Sequence, residues 1–254
     1  MYTVTLLSSP TEPRLETSLL GALQTAWGGG DARWLAPNEA AEFEIGQKPA
    51  NQWDVWSDVQ ALGVDLVVQP TAGRRKKMLL ADMDSTMINE ECIDELAEVA
   101  GVGAYVKDIT AKAMNGELDF EGALTERVAL LSGLDEDIIA QVLAERITLM
   151  SGGPALLATM KAHGAYAALV SGGFTAFTAS IASKLGFDEN RANILFAEGG
   201  KLTGKVAMPI LGREAKVQAL EEITARLGIA EQDVLAVGDG ANDLGMLTRA
   251  GSGV

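Results

Sequence analysis

The chain has 254 residues, of which 48% are hydrophobic and 22% charged, so it can bury a core in one large domain or two small ones. Twenty basic residues against 35 acidic ones give a net charge of −15, which argues against a nucleic-acid partner because neutralising phosphates requires clustered lysine and arginine. One cysteine, Cys92, excludes an internal disulfide, and one histidine, His163, excludes zinc sites with two or more imidazoles.

Residues 1–72 have the pattern of a small module of strands and helices. Alternation of apolar and polar residues favours strands, and apolar residues at helical spacing favour helices between them. The predicted strands are Tyr2–Leu7, Arg33–Leu35, Glu42–Ile45 and Val64–Val68, and the predicted helices are Arg14–Trp27 and Gln52–Leu62. The order βαββαβ within about 70 residues predicts a ferredoxin-like module.

The segment Thr71–Lys77, TAGRRKK, follows this module and predicts a linker. Its consecutive basic residues have two interpretations, a patch that seeks phosphate or a solvated connector. We favour the connector, since a run of charges usually forms a solvated surface.

Residues 73–254 alternate strands with helices, which predicts a parallel α/β sheet. Met78–Ala81 is a continuous apolar run, typical of a strand that is buried on both faces. Two βα units follow: Tyr166–Val170 leads through Ser171-Gly172-Gly173 into a helix ending near Gly186, and Val234–Val237 leads through Gly238–Asn242 into another helix.

Two further segments complete this region. Helical patterns fill residues 89–150, with breaks at Gly116 and Gly133, and predict a cap inserted after the first strand. Asn193–Val206 predicts a hairpin that turns at Gly199-Gly200.

Polar, glycine-rich turns follow three of the predicted strands. They supply Asp82 and Asp84 in ADMDST, Ser171 in SGG, and Asp239, Asn242 and Asp243 in GDGANDLG. In open α/β sheets, ligands bind outside the carboxyl ends of the strands, so the fold can bring these turns together. Lys216, in the helical stretch REAKVQALEEI, can join them.

Each of these residues also has a purely structural interpretation. Paired aspartates often form turns, Ser171 and Asp243 can cap helices, and Lys216 alone is typical of a solvated helix face. Other motifs fail: a calcium loop beginning at Asp82 would need glycine and glutamate where the chain has Met87 and Ile93. The coincidence of the polar residues at strand ends favours a functional site.

Phosphoryl transfer is the chemistry that these groups can perform. A carboxylate at a rigid strand end can attack phosphorus, and a Mg²⁺ ion held by oxygen ligands can neutralise the carboxylate and the phosphate. A lysine, a hydroxyl and backbone N–H groups can hold phosphate oxygens. A second carboxylate can protonate the leaving alcohol and then activate water.

With these motifs in order, the chain resembles the haloacid dehalogenase superfamily and, within it, the phosphoserine phosphatase family. The matches are DMDST at residues 82–86, Ser171-Gly172-Gly173, Lys216 and GDGAND at residues 238–243. The closer resemblance, to phosphoserine phosphatases, depends on the sequence DSTMINEE and on the cap segment KAMNGELDFEGALTERVALLSGL. It covers about residues 76–254, and the N-terminal part is loosely similar to ACT-like, amino-acid-binding modules.

The resemblance implies a role for each matching position. Asp82 would be the nucleophile and Asp84 the general acid and base. Mg²⁺ would be bound by the Asp82 carboxylate, the Asp84 backbone carbonyl and Asp239, with Asp243 supporting the shell. Substrate would be bound by Glu91, Met114, Phe120, Arg127, Ser171, Gly172, Lys216 and Asn242, of which Glu91 would meet an ammonium and Arg127 a carboxylate.

We therefore predict an α/β protein with a ferredoxin-like module at residues 1–72 and, at residues 73–254, a doubly wound parallel sheet with a helical cap. The implied activity is Mg²⁺-dependent hydrolysis of O-phospho-L-serine in the last step of serine synthesis. The alternatives are hydrolysis or transfer on another small phosphoester, such as phosphothreonine or phosphohomoserine, and an amino-acid-binding regulatory role of the N-terminal module.

The remaining predictions concern location and assembly. No apolar run approaches the roughly 20 residues of a membrane span, and the start of the chain lacks the features of a signal peptide. We predict a cytoplasmic protein with no membrane partner and allow for a homodimer. The resemblance implies that a further strand and helix usually follow Val254 in the family, so a truncated chain with an open sheet edge is expected.

Overall fold

The computed structural model of the chain describes residues 1–114 and 117–254, apart from the side chains of residues 111, 113 and 114. The chain forms two compact units, Met1–Arg75 and Lys76–Val254. None of the helices in the described ranges is both long and apolar enough to cross a bilayer.

The first unit is an antiparallel sheet with two helices. Its strands β1 (Tyr2–Ser8), β2 (Arg33–Ala36), β3 (Ala40–Ile45) and β4 (Val64–Pro70) have the order β2-β3-β1-β4, and its helices are α1 (Thr17–Ala26) and α2 (Gln52–Gln60). Alternate residues such as Val4, Leu6 and Phe43 are buried with Leu20 and Val59 from the helices, so one face of the sheet carries the core. This arrangement confirms the predicted ferredoxin-like fold.

The second unit is built on a parallel sheet of five strands. These are β5 (Met78–Ala81), β6 (Tyr166–Phe174), β7 (Glu189–Asn193), β10 (Val234–Val237) and β11 (Ser252–Gly253), in the order β11-β10-β5-β6-β7. All four residues of β5 are buried, as its apolar run predicts. Leu79 and Ala81 belong to the core on one face, and Met78 and Leu80 to the core on the other.

Helices cover both faces of this sheet, as the alternating pattern predicts. Between β5 and β6 lie α3 (Cys92–Val99), α4 (Gly103–Met114), α5 (Phe120–Ala129), α6 (Ile138–Glu145) and α7 (Gly153–Ala162), and later in the chain lie α8 (Thr175–Leu185), α9 (Arg213–Leu227) and α10 (Leu244–Arg249). Side chains of α8 pack in the first core, and side chains of α9 and α10 pack in the second. The predicted break at Gly116 lies outside the described residues.

The predicted hairpin is confirmed, with β8 (Leu195–Glu198) and β9 (Lys201–Val206) joined at Gly199 and Gly200. Both glycines have positive φ, which glycine adopts without steric cost.

Two strand assignments in the second unit differ from the sequence prediction. Strand β6 continues to Phe174, so Ser171-Gly172-Gly173 lies within the strand rather than in a turn after it. Its pairing with β7 jumps from Val170 to Phe174, and this irregularity accommodates the two glycines. Strand β7, with the sequence ENRAN, was missed because it lacks the apolar alternation that identifies strands.

Candidate active site

The carboxyl ends of β10, β5 and β6 lie side by side and surround a cavity. Asp82 directly follows β5, Ser171 lies near the end of β6, and Asp239 follows β10. The cavity has a volume of about 180 Å³ and is lined by Asp82, Asp84, Glu91, Ile93, Phe120, Leu124, Arg127, Ser171, Gly172, Gly173, Phe174, Asp239, Gly240 and Asn242. The sheet therefore brings together most of the residues that the sequence singled out.

Lys216 is the buried cation of this site. Its Nζ atom lies 2.7 Å from Asp82 Oδ1 and 2.6 Å from Asp243 Oδ1, and its side chain is 1% exposed. The interpretation of this lysine as a solvated helix face is therefore wrong, because α9 turns it into the interior. A buried ammonium with two carboxylate partners is compensated, whereas either charge alone would be costly to bury.

Asp82 lies in an environment that disfavours its charge. Burial raises the pKa of its carboxyl to about 7, and the negative charge of Asp243 acts in the same direction, while the adjacent Lys216 ammonium lowers it. Any further cation at the site would stabilise the ionised carboxylate that a nucleophile requires.

The acidic groups form an oxygen-rich cluster suited to a hard cation. One carboxylate oxygen each from Asp82, Asp239 and Asp243 lies within 4.8 Å of the others. Thr86 Oγ1 donates a hydrogen bond of 3.0 Å to Asp239 Oδ1 and so links the loop after β5 to the loop after β10. Carboxylate oxygens are the ligands that Mg²⁺ prefers, so this donor set fits the predicted ion.

The side chain of Asp84 is held by hydrogen bonds from helix α3 and strand β6. Its Oδ1 atom accepts a hydrogen bond of 2.8 Å from the backbone N–H of Cys92, at the start of α3, and its Oδ2 atom accepts one of 3.0 Å from Ser171 Oγ. Ser171 Oγ in turn accepts a bond of 2.8 Å from the N–H of Gly173. These contacts fix the direction of a carboxylate that is 9% exposed.

Gly173 is required because the Asp84 carboxylate lies directly against it. A Cβ atom at Gly173 would lie 2.9 Å from Asp84 Oδ2 and 3.1 Å from Ser171 Oγ. Real Cβ atoms essentially never approach other atoms as closely as the first of these distances. An alanine at this position would therefore displace Asp84 or the strand end.

Under the catalytic role that the family resemblance implies for Asp84, we expect Gly173→Ala to lower kcat by about 10- to 100-fold, because a displacement near 1 Å of a reacting group has an effect of this size. The matched control is Gly21→Ala, at a helical position where a Cβ meets nothing within 4 Å. Steady-state kinetics and thermal melting of both variants test this expectation. Unchanged kcat in Gly173→Ala would contradict the tight contact with Asp84.

Glu91 and Arg127 bring opposite charges to the cavity lining. Desolvation raises the pKa of Glu91, the negative charges of Asp84 and Asp239 add to this rise, and the hydroxyl of Ser85 opposes it. Burial lowers the pKa of Arg127, while the charges of Asp94 and Glu91 act in the opposite direction. Glu91 and Arg127 therefore place an acidic and a basic side chain in the same cavity, the pair of charges that a zwitterionic ligand requires.

The remaining predicted residues differ in how the structure places them. Phe120, at the start of α5, packs against the backbone, since a Cβ on Gly172 would lie 3.0 Å from its Cζ atom and one on Gly212 would lie 3.1 Å from its Cδ1 atom. Asn242 lines the cavity beside Asp239. The side chain of Met114 lies outside the described residues.

Asn193 is a supporting residue that sequence reasoning missed. It is 2% exposed, its Nδ2 atom donates to the carbonyls of Gly172 at 2.8 Å and Leu211 at 3.1 Å, and its Oδ1 atom accepts from the N–H of Leu211 at 2.7 Å. It thereby fixes the backbone of Gly172 from the end of β7. No local signal identified it, because its partners are distant in sequence.

Comparisons with known proteins identify a family and several relatives that this chain is similar to. A family model described as haloacid dehalogenase-like hydrolase matches residues 79–248. The phosphoserine phosphatase of Archaeoglobus fulgidus is 43% identical over 199 residues, 78% of this chain and 58% of that protein. The phosphoserine phosphatase of Methanocaldococcus jannaschii is 44% identical over 178 residues, 70% of this chain and 84% of that protein.

Solved structures agree with these sequence matches. A HAD family hydrolase from Salmonella enterica serovar Typhi has a TM-score of 0.87 at 29% identity and covers 99% of this chain and 88% of its own. A phospho-aspartyl intermediate analogue of phosphoserine phosphatase has a TM-score of 0.64 at 44% identity and covers 70% and 85% of the two chains.

This chain covers only part of the length of some of its relatives. This chain spans 58% of the Archaeoglobus protein and 48% of a phosphoserine phosphatase from Streptomyces coelicolor, so it matches about half the length of these two relatives. The family model nevertheless extends from Leu79 in β5 to Thr248 in α10 and includes the carboxyl ends of β5, β6 and β10 at the cavity. The chain therefore belongs to the haloacid dehalogenase-like hydrolase family.

Proposed function

We propose that the chain hydrolyses O-phospho-L-serine to L-serine and phosphate, the last step of serine synthesis, through a phosphorylated Asp82. The observation that carries this proposal is the buried Asp82–Lys216 pair beside a cavity whose lining includes Glu91 and Arg127. Phosphoserine bears a phosphate, an ammonium and a carboxylate. Lys216, Glu91 and Arg127, in that order, carry the opposite charges. The named relatives support the same substrate.

Asp82 is the proposed nucleophile. Its position directly after the buried strand β5 holds the carboxylate rigidly, and the backbone N–H of Asp82 donates to the carbonyl of Val237 at 3.0 Å. Attack of a carboxylate oxygen on phosphorus forms an acyl phosphate and releases the seryl oxygen. Asp84 then serves as the proposed acid that protonates this oxygen and the base that activates water.

Mg²⁺ is the proposed cofactor. The ion would be held by the Asp82 carboxylate, the backbone carbonyl of Asp84 and Asp239, with Asp243 in the supporting shell. When bound, it would neutralise charge on the phosphate and on the attacking carboxylate. The carboxylate of Asp243 is fixed in position by two contacts. Its Oδ2 atom accepts a hydrogen bond of 3.0 Å from the backbone N–H of Gly240, and its Oδ1 atom accepts one from Lys216 Nζ.

The phosphate oxygens have four proposed partners. Ser171 and Gly172 offer donors at the end of β6, Asn242 offers its side-chain amide, and Lys216 offers a positive charge. Donors fixed before the reaction stabilise the charge of the transition state without reorganisation. Asn193 supports Gly172 in this role because it binds the carbonyl of that residue.

The serine part of the substrate has the other proposed contacts. Glu91 binds the ammonium and Arg127 grips the carboxylate with its planar guanidinium. Phe120, which lines the cavity, is the proposed contact for the remaining carbon atoms, and the proposed contact with Met114 lies outside the described side chains. Arg127 is supported by a hydrogen bond of 3.2 Å from its Nε atom to the carbonyl of Ala123, which orients the guanidinium from within α5.

Arg127→Ala is expected to lower kcat/KM for phosphoserine by roughly 100-fold, since a charged hydrogen bond to substrate contributes about 1.5–3 kcal/mol. Turnover of an aryl phosphate, which lacks the carboxylate, should fall much less. Arg146→Ala is the control, because Arg146 pairs with Glu95 outside the cavity lining. Equal losses on both substrates would count against the role of Arg127.

The pKa of Asp82 predicts how Mg²⁺ stabilises the protein. Burial raises the pKa of this carboxyl from 3.8 to about 7 in the ion-free protein, so the stability associated with its protonated form is lost as pH rises from about 4 through 7. A cation competes with the proton for the same oxygens. We expect saturating Mg²⁺ to raise Tm by several degrees at pH 8 and by less at pH 5.5, measured by scanning calorimetry. An equal shift at both values would contradict binding at Asp82.

A substrate panel tests the proposed function. The proposal predicts that kcat/KM for phosphoserine exceeds that for phosphothreonine, phosphohomoserine and an aryl phosphate. A preference for another phosphoester would show that phosphoserine is not the substrate, while phosphoester hydrolysis would remain the proposed reaction. The cytoplasmic location and the homodimer remain predictions of the sequence.

A further inference from the structure

Ser85 has an unusual backbone conformation for its residue type. Its φ is +53°, and among the described residues only it and Asn38 have positive φ without being glycine. Asparagine adopts this left-handed region comparatively easily, whereas serine is less suited to it and glycine would adopt it without cost. A strained residue that persists next to an active site motivates a search for what its side chain provides.

Among the described residues, Glu91 is the one hydrogen-bond partner of the Ser85 side chain. Ser85 Oγ donates to Glu91 Oε1 at 2.7 Å, and the backbone N–H of Ser85 donates to the carbonyl of Glu90 at 3.3 Å. The positive φ folds the loop back so that both bonds form. The residue that follows Asp84 is thereby tied to the residue that precedes α3.

The hydrogen bond from Ser85 matters because Glu91 is partly buried in the cavity lining near other carboxylates. The carboxylates of Asp84 and Asp239 both act on Glu91 with negative charge. Without a donor, its side chain can turn towards solvent, where its charge is better hydrated. The Ser85 hydroxyl supplies a donor on the cavity side.

We propose that Ser85 is a positioning residue that holds Glu91 in the cavity and so sets the preference for substrates that carry an ammonium group. This inference rests on the proposed function, since Glu91 is the proposed ammonium partner. Ser85 itself needs no contact with the substrate. A glycine at this position would relieve the backbone but lose the hydroxyl, which explains why serine occupies a left-handed position.

The test compares Ser85→Ala, which removes the hydroxyl and keeps the strain, with Ser85→Gly, which removes both. Each is assayed with O-phospho-L-serine and with O-phospholactate, which has a hydroxyl-derived phosphoester and a carboxylate but no ammonium. We expect KM for phosphoserine to rise about 10-fold in both variants, with kcat within about twofold and phospholactate kinetics unchanged. Ser132→Ala, which removes a hydroxyl bonded to the Thr203 carbonyl outside the cavity lining, should change neither substrate.

The outcomes separate the inference from the function on which it rests. If the wild-type protein hydrolyses phosphoserine and both Ser85 variants lose activity equally on the two substrates, the inference is overturned and the proposed function stands. The inference is also overturned if both variants keep the wild-type ratio of the KM for phosphoserine to the KM for phospholactate. If the wild-type protein does not prefer phosphoserine to phospholactate, the proposed ammonium site fails, and the role of Ser85 fails with it.

Discussion

Asp82→Asn is expected to abolish hydrolysis of O-phospho-L-serine, with kcat reduced at least about 10⁴-fold, the scale of loss when a covalent nucleophile is removed. The amide has almost the same shape as the carboxylate, but its nitrogen and oxygen are poor nucleophiles towards phosphorus. Because burial already raises the pKa of Asp82 to about 7, a neutral group is tolerated at this position, and the variant should fold.

The matched control for this variant is Asp135→Asn. Asp135 is exposed and pairs with Lys201 at 2.8 Å, outside the cavity lining, so its replacement should leave kcat unchanged. Acid quenching of the wild-type protein during turnover should trap a phosphoryl group on the peptide that contains Asp82. Ordinary turnover by Asp82→Asn, or a phosphoryl group trapped on another peptide, would rule out the covalent mechanism.

Lys216→Met should damage both stability and turnover. Removing the ammonium leaves Asp82 and Asp243 buried without their shared cation, which costs about 3–5 kcal/mol of unfolding free energy. We also expect kcat to fall about 10²- to 10³-fold, since a fixed donor for the transition state is lost. Denaturant unfolding and steady-state kinetics measure the two effects separately.

A second substitution separates these effects. In Lys216→Met/Asp243→Asn, one of the two unpaired carboxylates is neutralised, so part of the stability should return while turnover stays low. Lys201→Met is the control, because Lys201 forms an exposed pair and such pairs contribute at most about 1 kcal/mol. If Lys216→Met unfolded at the same denaturant concentration as the wild-type protein, the buried triad would not have the importance that its geometry indicates.

The strands that position the site could be predicted where burial dictates composition. Met78–Ala81 and Val234–Val237 are apolar at every position because helices cover both faces of the sheet, and the predicted bounds of both strands match the structure. Polar residues directly after these strands then identify the edge at which a ligand binds. These strands and their polar ends are therefore encoded in local sequence, independently of distant contacts.

Other features depend on contacts that local sequence does not encode. Ser171-Gly172-Gly173 has the composition of a turn, yet the pairing of Phe174 with Asn193 keeps it within β6. The burial of Lys216 depends on Asp82 and Asp243, which lie in separate loops brought together only by the folded sheet. Glu91 and Arg127 are ordinary helix-surface charges by pattern, and only the family resemblance singled them out.

The proposed Mg²⁺-dependent reaction through Asp82 is tested by measuring release of inorganic phosphate from O-phospho-L-serine, with Mg²⁺ and with excess chelator. Asp82→Asn serves as the blank. We expect rapid release with Mg²⁺, loss of release with chelator and recovery when Mg²⁺ is restored. The proposed reaction is contradicted if the folded wild-type protein releases no phosphate with Mg²⁺, if it releases phosphate equally with the chelator, or if Asp82→Asn releases phosphate as fast as the wild type.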